Sequence, residues 1–576
     1  MVAAPGWNSQ NAPVESSPTE VLDIPQAGAD GSTTDGAEGT QSERTEGTRA
    51  RSDTWLRMVC HLSAELPLVV FLVVELAKGW RPLFDNAGLT LRSYQVFSSH
   101  SPLVGHQMAV SVGSHAVFGP GPLQSWILAV PVRIDPAQGA QWGSVLGAVA
   151  AIALAVEASW AVGRWRGSAT VAGCVLVFAL VRPEVVLDPV WNVWFAALFL
   201  VPTYCTALAV ATGRMRWWPF TVVAATMVVQ SQAAFGPPAI ALCLVAPILG
   251  LISRRRSPGR TGGGWLITGL AAGVVVWAAP FVQELTHHPG NLTLLIRAAG
   301  SGPTIGTTGG LRALGGATRI LPEWVHPLPT GSGLARFFGV VGLVNGPEWW
   351  SLAVLGLLAV VGVVAARAGR STLAVLCVLT LVLAVGAVAT VATIPMSQFL
   401  VLGYLGVVLA PVGLIVWVTF VWATSEVILV VARHWRSTRV DEVSPAVVRW
   451  ARVPAAVVLV ALSIWLVVIG LGQMDGTAPT LAGWSAVRAT DQASTDAARV
   501  APRGPFRLQM DAPSTAFTVA VETGIAYQLV TRGLDPRPTT VIGYPTFGRP
   551  PADGPTVVVV LPGPGRPVSA RLESGS

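Results

Sequence analysis

The sequence predicts an all-α polytopic transmembrane helix bundle with interfacial helices in its first outer loop and a small β-rich domain at its C-terminal end. Three observations carry that prediction. Of the 576 residues, 52% are hydrophobic and only 12% are charged, with a mean hydropathy of +0.58. Soluble domains carry about 25% charged residues, so a cytosolic enzyme, a nucleic-acid-binding protein and a disordered scaffold are excluded. Apolar runs of the roughly 20 residues needed to span a bilayer recur along the chain. Arginines cluster in short segments between those runs, which is how membrane orientation is written.

Residues 1–54 are rich in Ser, Thr, Gly and acids, bury too little to fold, and read as a disordered cytoplasmic tail. Residues 1–50 hold eight acids and two arginines, so the rest of the chain carries 35 basic against 22 acidic residues. The membrane domain is expected over 55–475. Its crossings fall near 59–79, 142–163, 168–182, 190–212, 217–235, 238–252, 265–283, 349–368, 371–393, 404–432 and 453–473, about 11 in all. Pro237-Pro238 and Pro411 are expected to bend or break their helices. The apolar segment 121–134 is too short to cross and reads as interfacial or re-entrant.

Arg164/Arg166, Arg214/Arg216, Arg254–Arg256, Arg367/Arg370 and Arg433/Arg436/Arg439 then share the cytoplasmic side with Arg51 and Arg57. Loops 80–141, 183–189 and 284–348, with the tail after 474, face outward. The expected location is a multi-pass protein of the plasma membrane, N-terminus in and C-terminus out. Trp80, Trp217-Trp218, Trp349-Trp350 and Trp435 fall at helix ends, as an aromatic belt requires. Residues 476–576 change character: the alternating run Thr515–Val521 and the β-branched run Thr556–Val560 read as strands of a small extracytoplasmic domain.

The five cysteines lie in apolar stretches without paired spacing, so neither disulfides nor zinc are expected. Glu75 and Lys78 are spaced to pair on one helix face. Glu65, Glu157 and Glu426 read as carboxylates snorkelling at cytoplasmic helix ends. His287-His288 lacks metal-ligand spacing on a helix. The glycine-rich stretch Gly300–Gly316 lacks the lysine and the strand-to-helix setting of a phosphate loop and reads as linker.

Polar residues set against the membrane without a topological reason mark candidate chemistry. The first outer loop runs from Arg81 through Asp85, Arg92, His100 and Ser101-Pro102-Leu103-Val104-Gly105 to His115 and Gly119-Pro120-Gly121-Pro122-Leu123. A carboxylate against an apolar wall is a candidate general base, and a nearby arginine can hold a phosphate. The second loop, Arg182-Pro183-Glu184-Val185-Val186-Leu187-Asp188-Pro189, packs two acids and an arginine into a hairpin. Asp188-Pro189 is also a plain helix cap followed by proline.

The order Asp85, Leu91-Arg92, Ser101–Gly105, Gly121-Pro122-Leu123 resembles the first outer loop of an actinobacterial group within the GT-C superfamily. These are polytopic glycosyltransferase-like membrane proteins. Asp188-Pro189-Val190-Trp191-Asn192, Val229-Gln230-Ser231 before Pro237-Pro238, and Gln283-Glu284 before Asn291-Leu292-Thr293 match in the same order, so the resemblance spans roughly residues 55–475. It implies transfer of a sugar from a polyprenyl-phosphate-linked donor to a cell-envelope acceptor, whether glycan, lipid or protein, at the outer face. By that match Asp85 and Asp188 are the catalytic pair, with Asp85 the base. Arg92 or Arg182 holds the donor phosphate, and His100, His115, Glu184 and Gln230 complete the substrate-binding set. No metal site and no nucleic-acid partner are expected. A divalent cation is compatible with the acids, but no residue pattern points to one. The chain departs from the group where Phe118-Gly119 stands for Asn-His before the Pro-Gly-Pro, and where Gln232 stands for the histidine of the Gln-Thr-His. Those departures imply the alternative of a catalytically inactive lipid-glycan binder or a transporter on the same scaffold.

Overall fold

The computed structural model describes residues 35–255, 263–300, 302–320, 322, 346–396, 407–437, 452–476, 483–511, 515–539, 554–561 and 568–573. Residues 1–34 of the expected tail lie outside the described residues, and helix α1 (Asp35–Ala77) begins inside the stretch assigned to it. Among the described residues, nine helices are long and apolar enough to cross a membrane, α1 from Thr54 onward among them. The chain is a multi-pass helical membrane protein.

The bundle continues with α4 (Gly139–Val181), α6 (Asn192–Ala211), α7 (Trp218–Ser231), α8 (Gly236–Arg255) and α9 (Gly263–Thr286). It is completed by α12 (Glu348–Arg367), α13 (Ser371–Thr393), α14 (Leu409–Ser437) and α15 (Arg452–Gly476). The α4 segment is folded back on itself: Arg164 has φ +51°, and Ser168 Oγ donates to the Val156 carbonyl at 2.9 Å. The kink falls between the stretches 142–163 and 168–182 expected as separate crossings. The expected crossing 217–235 is shorter, 14 helical residues with a single 3-10 turn at each end. Pro237-Pro238 and Pro411 bend nothing mid-helix, because both sit in first turns, where no intrahelical N–H is lost.

The core runs along α6, apolar on every side and almost wholly enclosed, as expected of a helix without an amphipathic stripe. Ala196, Ala197, Ala207 and Ala211 let neighbouring helices approach closely. Its one buried phenol joins a hydroxyl chain, Tyr204 to Thr380 at 2.6 Å and Thr380 to Thr419 at 2.8 Å. The outward faces of α9 and α15 stay apolar and exposed, as surfaces meeting lipid must.

At the end of the bundle where α1 stops lie α2 (Phe84–Gln95), the hairpin β1 (Gln107–Val112) and β2 (His115–Phe118), α3 (Leu123–Ile134), α5 (Glu184–Leu187) and α10 (Asn291–Ala299). The 121–134 segment is thus the short helix expected. The Gly300–Gly316 stretch is not linker: α11 (Gly306–Thr318) packs on α12 and α13, its small residues admitting close backbone contact. Trp80 is likewise not a belt residue; it is fully buried among Leu89, Leu128 and Val190.

The C-terminal domain holds α16 (Gly483–Val500), β3 (Pro505–Asp511), α17 (Thr515–Thr531), β4 (Asp535–Pro538), β5 (Thr556–Val560) and β6 (Ser569–Glu573). Its sheet has the order β4-β3-β5-β6, with β3 parallel to both neighbours and β6 antiparallel to β5. Thr556–Val560 is the strand expected. Thr515–Val521 is helical instead: it opens a 17-residue helix whose residues 521–529 are all buried, so the local alternation does not mark the half-buried face of a strand.

Candidate functional site

The site is built on α2. Its Leu83, Ala87 and Leu91 face turns away into the C-terminal domain, and Leu89 packs beneath Trp80. The buried hydroxyls of Thr90 and Ser93 bond back to the carbonyls of Asn86 and Leu89, so that helix needs no outside partner for them. The side chains left over are Asp85, Asn86 and Arg92.

Asp85 and Asp188, about a hundred residues apart in sequence, meet through their neighbours. Asn86 Nδ2 donates to Asp188 Oδ1 at 2.7 Å, and Trp191 Nε1 donates to Asp85 Oδ2 at 3.2 Å. Each acid is therefore held by a residue within three positions of the other. His106 Nε2 lies 3.5 Å from Asp85 Oδ1, and the Asp85 side chain keeps 31% of its surface open. Asp188, only partly buried by surface yet packed on most sides by protein, has its pKa pushed up to about 7. Burial is the main cause; the Asn86 and Trp191 hydrogen bonds oppose it, while Asp85 and Glu184 add like-charge repulsion.

Behind the pair, Gln141 Nε2 hydrogen-bonds the fully buried Glu75 carboxylate and reaches the Leu187 carbonyl at 3.4 Å. Glu75 therefore does not pair with Lys78, whose ammonium donates to the Met474 carbonyl at 3.1 Å. One oxygen each of Glu75, Gln141, Asn86 and Glu184, together with His106 Nδ1, is buried without a hydrogen-bond partner among the described residues.

Arg92 stands seven residues after Asp85, hence on the same face of α2 and about 10 Å further along it. Its guanidinium lies 4.7 Å from the Phe118 ring centroid and donates to the Val104 carbonyl at 3.4 Å. No carboxylate pairs with it among the described residues. Burial lowers its pKa to about 10, so the charge persists at neutral pH. Arg182 is 7% exposed, makes no side-chain hydrogen bond among the described residues, and has its pKa lowered by burial against the opposing pull of Glu184. Two cations that no carboxylate bridges among the described residues can hold an anion.

Other expected members are placed elsewhere. Gln230 is buried scaffold, accepting from Leu123 N at 3.2 Å and donating to the Val276 carbonyl at 2.8 Å. Its side chain presses on Gly121, where a Cβ would lie 2.2 Å from Gln230 Oε1, so only glycine fits. His100 is exposed beside Ser99, and His115 is exposed at the hairpin; neither contacts the acids. Glu184 lies one turn before Asp188, its carbonyl accepting the Asp188 N–H at 2.9 Å, and its side chain acts on that acid through charge. The Gln283-Glu284 and Asn291–Thr293 motif is a joint rather than a substrate site. Glu284 and Gln283 cap the amides of Leu292 and Asn291 at 2.8 Å, and the Asn291 amide accepts from and donates to the Phe118 backbone at 2.9 and 3.0 Å.

Sequence reasoning missed Asn86 and His106 and gave no role to Trp191. Asn86 adjoins Asp85 and Trp191 stands in a quoted motif, but only the meeting of two loops gives either a function. Glu65 and Glu157 do not merely snorkel: His61 bridges them at 2.7 and 2.8 Å, and Arg57 pairs with Glu157, at the other end of α1. Glu426 pairs with Arg370 at 3.4 Å. Among the described residues no group of three or more His, Cys, Asp or Glu is arranged to hold a metal ion.

No family model and no curated protein matches the chain. A similar solved structure is the crystal structure of ArnT from Cupriavidus metallidurans in the apo state, at 14% identity and a TM-score of 0.38, covering 85% of this chain and 92% of that one. A likeness that loose carries no argument about chemistry, which rests here on the geometry of the site.

Proposed function

We propose that the protein is a membrane glycosyltransferase that moves a sugar from a polyprenyl-phosphate donor to a cell-envelope acceptor at the outer face of the plasma membrane. The observation that supports this best is the interlocked pair Asp85–Asp188 together with Arg92, which shares the Asp85 face of α2 and is a cation that no carboxylate among the described residues neutralises. A donor of this class keeps its isoprenoid tail in hydrocarbon and its phosphate at the interface, the level at which this end of the bundle lies. Arginine suits that phosphate because its planar fork bonds two oxygens at once. In the reaction Asp85 takes the proton of the acceptor hydroxyl as its oxygen bonds the anomeric carbon. The bond from that carbon to the phosphate oxygen breaks, and its electron pair leaves on the phosphate held by Arg92 and Arg182. Asp188 places a second carboxyl beside Asp85 and, when ionised, makes Asp85 a stronger base.

The test begins with native mass spectrometry of the purified protein for retained polyprenyl-phosphate lipid. Transfer to acceptors extracted from the cell envelope follows. Asp85→Asn should lower transfer at least about a hundredfold while leaving expression and lipid retention unchanged. Full transfer by Asp85→Asn removes the base from the mechanism. The departures at Phe118-Gly119 and Gln232 favour a second reading, a binder of lipid-linked glycan. That reading predicts retained lipid with no transfer even by the unaltered protein.

A further inference from the structure

Among the described residues the C-terminal domain contributes neither acid nor cation to the site, yet it forms the far side of the helix that bears Asp85 and Arg92. Leu83, Ala87 and Leu91 of α2 share one core with Val487, Phe506 and Ile525 of that domain. Three polar contacts fasten the same seam. Thr523 Oγ1 donates to the Phe84 carbonyl at 3.3 Å, Tyr527 Oη donates to the Pro136 carbonyl at 2.7 Å, and Arg81 pairs with Asp491 at 3.2 Å. The approach at α17 is close enough to demand glycine: a Cβ on Gly524 would lie 2.8 Å from Leu83 Cδ2 and 3.0 Å from the Pro82 carbonyl oxygen.

The residue that Thr523 grips is unusual. Phe84 has φ +49°, a left-handed conformation that residues with a Cβ avoid unless their surroundings impose it. The next residue is Asp85, so the direction in which its carboxylate leaves the backbone is set by this turn. On the bundle side Leu83 is extended, and its carbonyl takes the first helical hydrogen bond of α2, from Ala87 N at 3.3 Å.

We propose that the C-terminal domain is the splint of the site: it holds the left-handed turn at Phe84 and thereby aims Asp85 toward Trp191 and His106, with Thr523 as a positioning residue. Its catalytic meaning rests on the glycosyl-transfer reading; its structural content does not.

Hydrogen–deuterium exchange on the full-length protein in nanodiscs tests it, comparing wild type with Thr523→Val, Thr523→Ser and Gly524→Val. Thr523→Val and Gly524→Val should speed exchange of the first-turn amides of α2 by about fivefold or more, while those of α13 stay protected. Thr523→Ser, which keeps the hydroxyl, should match wild type. Unchanged α2 exchange in both Thr523→Val and Gly524→Val, or loosening confined to α17, overturns the proposal. Binding of short-chain polyprenyl phosphate, measured in the same samples, separates the two readings. Its absence from wild type sinks the donor assignment and leaves the exchange result to decide the splint.

Discussion

At the residue scale the two acids of the site are unequal. Asp85 keeps nearly a third of its surface open, whereas Asp188 is packed so that ionisation is delayed to about pH 7. A carboxyl whose folded pKa lies above its ordinary 3.8 stabilises the fold when protonated, and that contribution is lost as pH rises through about 7. Asp188→Asn should therefore melt like wild type near pH 4 and above it at pH 8, as followed by thermal scanning in detergent. The same ionisation has the opposite effect on the proposed chemistry. Transfer should rise with pH through about 7 in wild type, and that step should be absent from the pH profile of Asp188→Asn. Arg92 makes a complementary prediction. Arg92→Lys keeps the charge but loses the fork, so affinity for short-chain polyprenyl phosphate, measured by calorimetry, should fall by about tenfold.

At the scale of elements, the outer loops are held by joints the motifs encode. Asn291 clamps β2 to α10 through the Phe118 backbone, and Gln230 fills the space left by Gly121 between α7, α3 and α9. Removing one side of such a buried pairing leaves backbone groups unsatisfied, which costs about 1–3 kcal/mol each. Asn291→Ala should accordingly destabilise the first outer loop and raise its protease sensitivity, with little change in the exchange of α13. The motif residues were legible in the sequence, Gln230 in a crossing and Asn291 in an outer loop. Their work as joints was not, because a buried amide and a substrate-binding amide are the same residue type.

At the scale of the molecule, the acid pair and the His61–Glu157 cluster lie at opposite ends of α1. The arginine distribution predicts that the acid pair faces outside. Cysteines introduced at exposed His100 and Arg503 should react with a membrane-impermeant maleimide in intact cells, and one at exposed Arg164 should react only after permeabilisation. Labelling of residue 100 from the cytoplasm alone would end the proposed outer-face chemistry.

Composition and the spacing of apolar runs were enough to determine a polytopic helical bundle, because a bilayer leaves the backbone few other ways to satisfy its hydrogen bonds. The same one-dimensional signal located the loops between the helices and the acids on them. Which acids meet, that Asn86 and Trp191 tie them together, and that His100 and His115 stay apart were decided only by tertiary packing. So was the helix at Thr515, where burial against the sheet and α16 outweighed a local alternation. Each of those outcomes depends on contacts between segments tens to hundreds of residues apart, and such contacts leave no periodic trace in the chain.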